Sequence, residues 1–222
     1  MPVYGKFHEL AKQKHCITGK YIIFAGCKSK KIVLSTCEMS IYNAILSSTR
    51  TVFTMQSLSL LSDACDKVQL AKSLNYYVSK GALLNLRRGI YSKPIYNEQE
   101  LACSILQPSY ISLEYVLARS GVTFQYSKQL TCVSYQTRDI VVDGKEIAFR
   151  QINPMAWTNM LGIEQRDNIA IATPERAFLD MMYLSAGNCY FDNLHPLDKK
   201  LVREMLPVYH SKVLTERVMK ML

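Results

Sequence analysis

Lys67, Gln69, Lys72, Ser73, Tyr76, Lys80, Arg87 and Arg88 are the residues whose types and spacing suit a chemical task, and that task is holding a polyanion. From Lys67 to Lys93 the chain reads KVQLAKSLNYYVSKGALLNLRRGIYSK, with six basic residues and no acid, although 18 of the 222 residues are Asp or Glu. Lysine and arginine supply cations for phosphate oxygens, and a glutamine can make a bidentate pair with adenine. A helix with a few outward lysines is ordinarily just a solvated face. The acid-free run, the stripe of Gln, Lys, Ser and Tyr, and the Arg-Arg-Gly that follows together favour a nucleic-acid surface.

Two elements must position these side chains. Leu70, Ala71, Leu74, Tyr77, Val78 and Gly81 recur at intervals of three and four, which predicts an amphipathic helix with that stripe inward and Gln69, Lys72, Ser73, Tyr76 and Lys80 outward. Asp66 is placed to cap it, with Gln69 in the reciprocal position of a capping box, and Gly81 suits the left-handed residue beyond the last turn. Leu83, Leu84 and Leu86 before Arg87-Arg88-Gly89, with Ile90-Tyr91 after it, predict a hairpin with a basic tip. Upstream, Thr54 can cap a helix over Met55 to Ser62 with Leu58 and Leu61 inward, and Asp63 to Asp66 reads as a four-residue turn. Helix, tight turn, basic helix and basic hairpin is the order of a winged helix-turn-helix, which lays its second helix in the DNA major groove.

The charge is uneven. The net +9 divides into +5 over residues 1–38, +5 over 39–93 and −1 over 94–222. Seven scattered cysteines, without a C-x-x-C pair, suggest neither a zinc site nor a disulfide framework, and fit reduced thiols in a cytoplasmic protein. The longest apolar runs, such as Tyr21 to Cys27, are too short to span a bilayer, and no membrane association is expected. Residues 1–38 lack a sustained period, so Met39 reads as the natural start and the preceding segment as an upstream extension or poorly ordered arm; the rival reading is a genuine arm that adds nonspecific DNA contacts. N-terminal sequencing of protein from its native source separates the two.

Residues 39–95 then form the DNA-binding unit, opening with a helix over Ser40 to Ser47 through Ile41, Ala44, Ile45 and Leu46, and a short extended piece at Thr51 to Phe53. Residues 96–222 form an α+β domain with a small antiparallel sheet packed by helices. Its helices are predicted over Glu98 to Leu106, Ser109 to Ser120, after Thr173-Pro174-Glu175, and in two pieces either side of Pro207, with Leu201, Met205, Leu206, Val213, Leu214, Val218 and Met221 on their apolar stripes. The tail is left open as core or partner surface. Strands are predicted over Leu130 to Thr137, Ile140 to Val142, Ile147 to Ile152 and Ile169 to Thr173, with Asp143-Gly144 as a hairpin turn.

Several of these segments, in this order, resemble the AbiEi-type antitoxins and transcriptional regulators of type IV toxin-antitoxin systems. They are T-V-F-T at Thr51 to Thr54, Y-V-S-K-G-A-L-L-N-L-R-R-G-I-Y-S at Tyr77 to Ser92, P-S-Y-I-S-L-E-Y-V-L at Pro108 to Leu117 with Gly121, and I-A-T-P-E-R-A-F-L-D at Ile171 to Asp180. The resemblance covers about Met39 to Leu184 and implies a winged-helix domain that binds inverted repeats in the promoter of its own operon. It also implies a C-terminal domain required for antitoxin activity against a nucleotidyltransferase-like toxin encoded alongside. Direct contact with that toxin and self-association on DNA are both left open. Carried onto this chain, Gln69, Lys72, Ser73 and Tyr76 face the groove, and Arg87 and Arg88 form the wing contacts.

No catalytic constellation accompanies these features. The histidines at 8, 15, 195 and 210 are dispersed, and no phosphate-binding glycine loop, nucleophile elbow or zinc-protease motif occurs. Glu175 and Asp180 are five apart on one helix, a poor spacing for a shared site, with Glu175 explained by the helix dipole; Ser109 and Ser112 read as cap and turn residues. The expectation is a non-enzyme without cofactor or metal. Three alternatives stay open: a winged-helix regulator with no toxin partner, an RNA-binding winged helix, and a protein-interaction module whose basic helix is only solvated.

Overall fold

The computed structural model describes residues 16–18, 21–23, 33–61, 66–125, 127–186 and 188–222. They fall in two compact units, one made of 1–49 and 55–83 and the other of 50–54 and 84–222. The architecture is mixed α+β.

In the first unit, β1 (Cys16–Thr18), β2 (Tyr21–Ile23) and β3 (Val33–Ser35) form an antiparallel meander. Helix α1 (Thr36–Ser47) runs through Met39 instead of beginning after it, since no helix breaker stands between Thr36 and Ser40. Helices α2 (Met55–Leu61) and α3 (Lys67–Ser79) follow. Ile41, Ile45, Leu58, Leu70, Leu74 and Tyr77 are buried on these helices. Leu46 and Leu61, expected inward, are exposed, because each helix buries only a narrow stripe. The turn expected at Asp63 to Asp66 lies largely outside the described residues.

The second unit contains two sheets. The smaller joins β4 (Val52–Thr54), β6 (Ile90–Ser92) and β5 (Leu84–Arg87), all antiparallel, with β6 central. Its first strand is fastened by the Glu100 carboxylate, whose Oε2 accepts from the Thr51 and Val52 amides at 2.7 and 3.0 Å. Glu100 sits on α4 (Glu98–Ile105), which Asn97 caps. This fastening accounts for a division that differs from the 39–95 and 96–222 units read from the sequence: the strands are grouped with the C-terminal residues.

The larger sheet corrects the small antiparallel one expected. It has six strands in the spatial order β11 (Ile163–Arg166), β12 (Ile169–Ala172), β7 (Ser109–Ile111), β8 (Leu130–Ser134), β10 (Lys145–Gln151) and β9 (Arg138–Val142), and is mixed, with β8 parallel to β10 and β7 parallel to β12. Strands β9 (Arg138–Val142) and β10 (Lys145–Gln151) form the expected hairpin, with Asp143 and Gly144 both at positive φ, 51° and 72°. All five residues of β8 (Leu130–Ser134) are buried, as a strand covered on both faces requires. Strand β7 (Ser109–Ile111) replaces the first part of the helix expected over Ser109 to Ser120, leaving only the short α5 (Glu114–Arg119). Tyr110 and Ile111 are both buried between neighbouring strands, and that tertiary gain overrides the helical spacing. A helix α6 (Pro154–Thr158) and strand β11 (Ile163–Arg166), which pairs with β12 (Ile169–Ala172), were not expected.

Helix α7 (Pro174–Leu184) begins as read, with the Thr173 hydroxyl accepting from the Arg176 amide and Pro174 at the first position. The tail folds as α8 (Lys199–Met205), a 3₁₀ turn (Leu206–Tyr209) and α9 (Lys212–Met221). Val202, Met205, Leu206, Leu214 and Val218 enter the core, whereas Leu201, Val213 and Met221 are exposed, contrary to the apolar stripes expected. Burying an aliphatic side chain of this kind contributes about 1.5–3 kcal/mol, so much of the tail is core.

Candidate nucleic-acid interface

Helix α3 places Gln69, Lys72, Tyr76 and Lys80 within one arc, since offsets of three, four and eleven residues return to nearly the same side at 3.6 per turn. Gln69, Lys72 and Lys80 are exposed and Tyr76 is half-buried. The Tyr76 ring meets Tyr77 edge-on at 5.3 Å, and the Lys80 ammonium lies 5.8 Å from the Tyr76 ring centre. Tyr77 in turn stacks on Tyr42 at 4.2 Å, which holds the helix against α1. Lys67 is exposed but projects from the other side of the helix.

Ser73 is a correction. It is 1% exposed, and its hydroxyl donates to the Gln69 carbonyl at 2.9 Å. Lying between Gln69 and the buried Tyr77 in angle, it is small enough to turn inward once its hydroxyl bonds back to the preceding turn. Asn75 is an exposed amide on the flank of the same helix that the sequence reading passed over; its polarity beside Lys72 was the available signal.

The helix ends also differ in part from expectation. Asp66 stands at the N-cap position with φ −59° and ψ 146° but makes no side-chain cap bond; its carbonyl accepts from the Leu70 amide. The C-terminus closes as read, with Gly81 at φ 68° and the Ala82 and Leu83 amides turned back onto the Tyr77 carbonyl.

The hairpin tip, in the second unit, is the two-residue turn Arg88-Gly89, with Gly89 at φ 79°. Arg88 is exposed and Arg87 half-buried in the last position of β5, where a register shift between Asn85 and Arg87 twists the strand. Here a positive φ makes glycine the residue that lets the two arginines sit at the apex.

The second unit also holds a polar cluster that the sequence reading missed. Arg176, on α7, spends all five guanidinium donors: Nε on Asp180 Oδ1 at 3.3 Å, Nη1 on the Asn159 and Leu161 carbonyls, and Nη2 on the Ala156 carbonyl and the Tyr110 hydroxyl. Asp180 also accepts from the hydroxyls of Tyr209 at 2.6 Å, Ser112 at 2.8 Å and Tyr110 at 3.1 Å. Burial pushes the Asp180 carboxyl above its ordinary range, against the opposing pull of Arg176 and the three hydroxyls. The Tyr110 and Tyr209 hydroxyls are pushed up as well, first by burial and then by Asp180. Every group is satisfied from within the protein, so the cluster braces the 156–161 segment and offers no vacant donor to a substrate. Ser112 is therefore a buried donor, not a cap or turn residue, and Ser109 lies in β7. The R-x-x-x-D spacing of Arg176 and Asp180 was the available signal.

Glu175, read as a helix-dipole residue, is buried and also accepts from the Asp198 amide at 3.1 Å. Among the described residues no cluster of His, Cys, Asp or Glu is arranged to hold a metal, and no helix is long and apolar enough to cross a membrane. Comparison with known proteins finds no family model that matches the chain and no curated protein that matches its sequence.

Proposed function

We propose that this chain is a winged-helix DNA-binding antitoxin that represses its own operon and counteracts a nucleotidyltransferase-like toxin. The observation that carries the DNA-binding half is the arc on α3 in which exposed Gln69, Lys72 and Lys80 flank the half-buried Tyr76, inside a stretch from Lys67 to Lys93 that contains no acid. In this reading α3 is the recognition helix, Gln69 contacts a base edge, Lys72 and Lys80 contact phosphates, and Arg88 at the hairpin tip is a phosphate contact. The antitoxin half is supported by the sequence resemblance running from about Met39 to Leu184.

The test is fluorescence anisotropy of the full chain on duplex DNA from upstream of its own gene against a scrambled duplex, at two salt concentrations. Specific recognition is expected to favour the upstream duplex by a factor of ~10³ or more. Equal and steeply salt-dependent binding to both would overturn operator recognition. Co-expression with the neighbouring gene tests the antitoxin half, with restored growth as the expected result and unrelieved toxicity as the contrary one.

A further inference from the structure

We propose that helices α8 and α9 form a second contact for duplex DNA, one that grips its phosphodiester backbone without reading bases. Residues 94–222 hold 13 Lys and Arg against 14 Asp and Glu, yet residues 199–222 contain six of those cations and only two of the acids. All six, Lys199, Lys200, Arg203, Lys212, Arg217 and Lys220, are exposed. One of the two acids, Glu204, stands opposite Lys200 at 4.0 Å, an exposed pair too weak to neutralise the surface.

The packing directs these charges outward. Val202 and Met205 turn α8 toward the core, as Leu214 and Val218 turn α9, so the cations are left on the solvent sides of both helices. The two helices also meet at one end, where the Lys199 ammonium donates to the main-chain oxygen of Leu222 at 2.7 Å. That hydrogen bond sets the first turn of α8, which carries Lys199 and Lys200, beside Leu222, the residue after the last turn of α9, in which Lys220 follows Arg217 by three residues.

The chemistry selects backbone over bases. Residues 199–222 contain no Asn or Gln, the side chains that pair with adenine, so the surface lacks the amides that α3 presents in Gln69 and Asn75. Four of the six cations are lysines, compact charges that suit phosphate, whereas protein interfaces are depleted in lysine. The inference does not depend on operator recognition, which is read from a preference between sequences; this surface is read from salt dependence on a scrambled probe.

The test starts from the full chain carrying Lys72→Gln, Arg87→Gln and Arg88→Gln, which lowers the contribution of α3 and the hairpin. Onto it are added Lys200→Gln with Arg203→Gln, and Arg217→Gln with Lys220→Gln, separately and together; all four positions are exposed, and an unchanged thermal melt checks the fold. Binding is measured on a scrambled DNA duplex and on an RNA hairpin of matched length across salt concentrations. On the duplex the slope of log affinity against log salt is expected to fall by about 0.9 for each phosphate that the variant no longer neutralises, with a smaller change on the RNA hairpin. Unchanged affinity and slope on the duplex, or a change confined to the RNA hairpin, would overturn the proposal.

Discussion

The Arg176 guanidinium and the Asp180 carboxylate stand one helical turn apart on α7, both fully excluded from solvent, with Nε 3.3 Å from Oδ1. Because Arg176 also holds the carbonyls of Ala156, Asn159 and Leu161, one buried ion pair joins α7 to the segment that leads into β11. Arg176→Ala would strand Asp180 and three carbonyls, and a loss of about 3–5 kcal/mol is expected. Urea denaturation of the full chain measures it; a loss below about 1 kcal/mol would show that the cluster does not brace the fold.

Cys103 provides a pH test. Burial is the main cause that pushes its thiol from the ordinary 9.0 up to about 11. The unfolded thiol therefore ionises first as pH rises, so this group's contribution to stability is complete below about pH 9 and declines toward pH 11. Replacing Cys103 with Ala should flatten the alkaline limb of a stability-pH curve. The native thiol should also resist alkylation at neutral pH and react once the protein is unfolded.

Gly162 and Gly144 both sit at positive φ, 75° and 72°, but their surroundings differ. A Cβ at Gly162 would lie 2.8 Å from the Met205 terminal methyl and 3.0 Å from Arg176 Cβ, whereas at Gly144 no atom of the described residues stands within 4 Å. Both Gly→Ala changes incur the conformational cost, of about 1 kcal/mol, and Gly162→Ala should cost about 1–3 kcal/mol more through overpacking. Equal melting temperatures for the two variants would contradict the packing argument.

Glu100→Ala should leave the Thr51 and Val52 amides without their acceptor and destabilise the protein by about 1–3 kcal/mol. Amide exchange at Val52 is the direct readout, with faster exchange expected in the variant. Wild-type protection there would mean that another group holds the start of β4.

On α3 the two polar neighbours should separate cleanly. Gln69→Ala is expected to relax base preference at one operator position, by about 1–3 kcal/mol of discrimination, whereas Ser73→Ala should leave DNA affinity unchanged because its hydroxyl faces inward. A scan of single-base operator variants against both proteins checks this. An equal loss on every sequence from Gln69→Ala would assign that residue to backbone contact.

Local signals in the sequence determined much of what local physics controls. Leu70, Leu74 and Tyr77 at helical spacing set the buried side of α3, Gly81 its termination, Asp143-Gly144 the β9–β10 turn, and Thr173-Pro174 the start of α7, because each depends on a few adjacent residues and one backbone preference. Tertiary structure decided the rest. Tyr110 and Ile111 became a strand because their partners, Val133 on one side and Ile171 on the other, are distant in sequence. Strand direction in the mixed sheet and the convergence of Tyr110, Ser112, Arg176, Asp180 and Tyr209 follow the same rule. A residue's own period states only that one side is to be buried; which groups arrive to bury it, and whether they bring hydrogen-bond partners, is settled by chain segments far away.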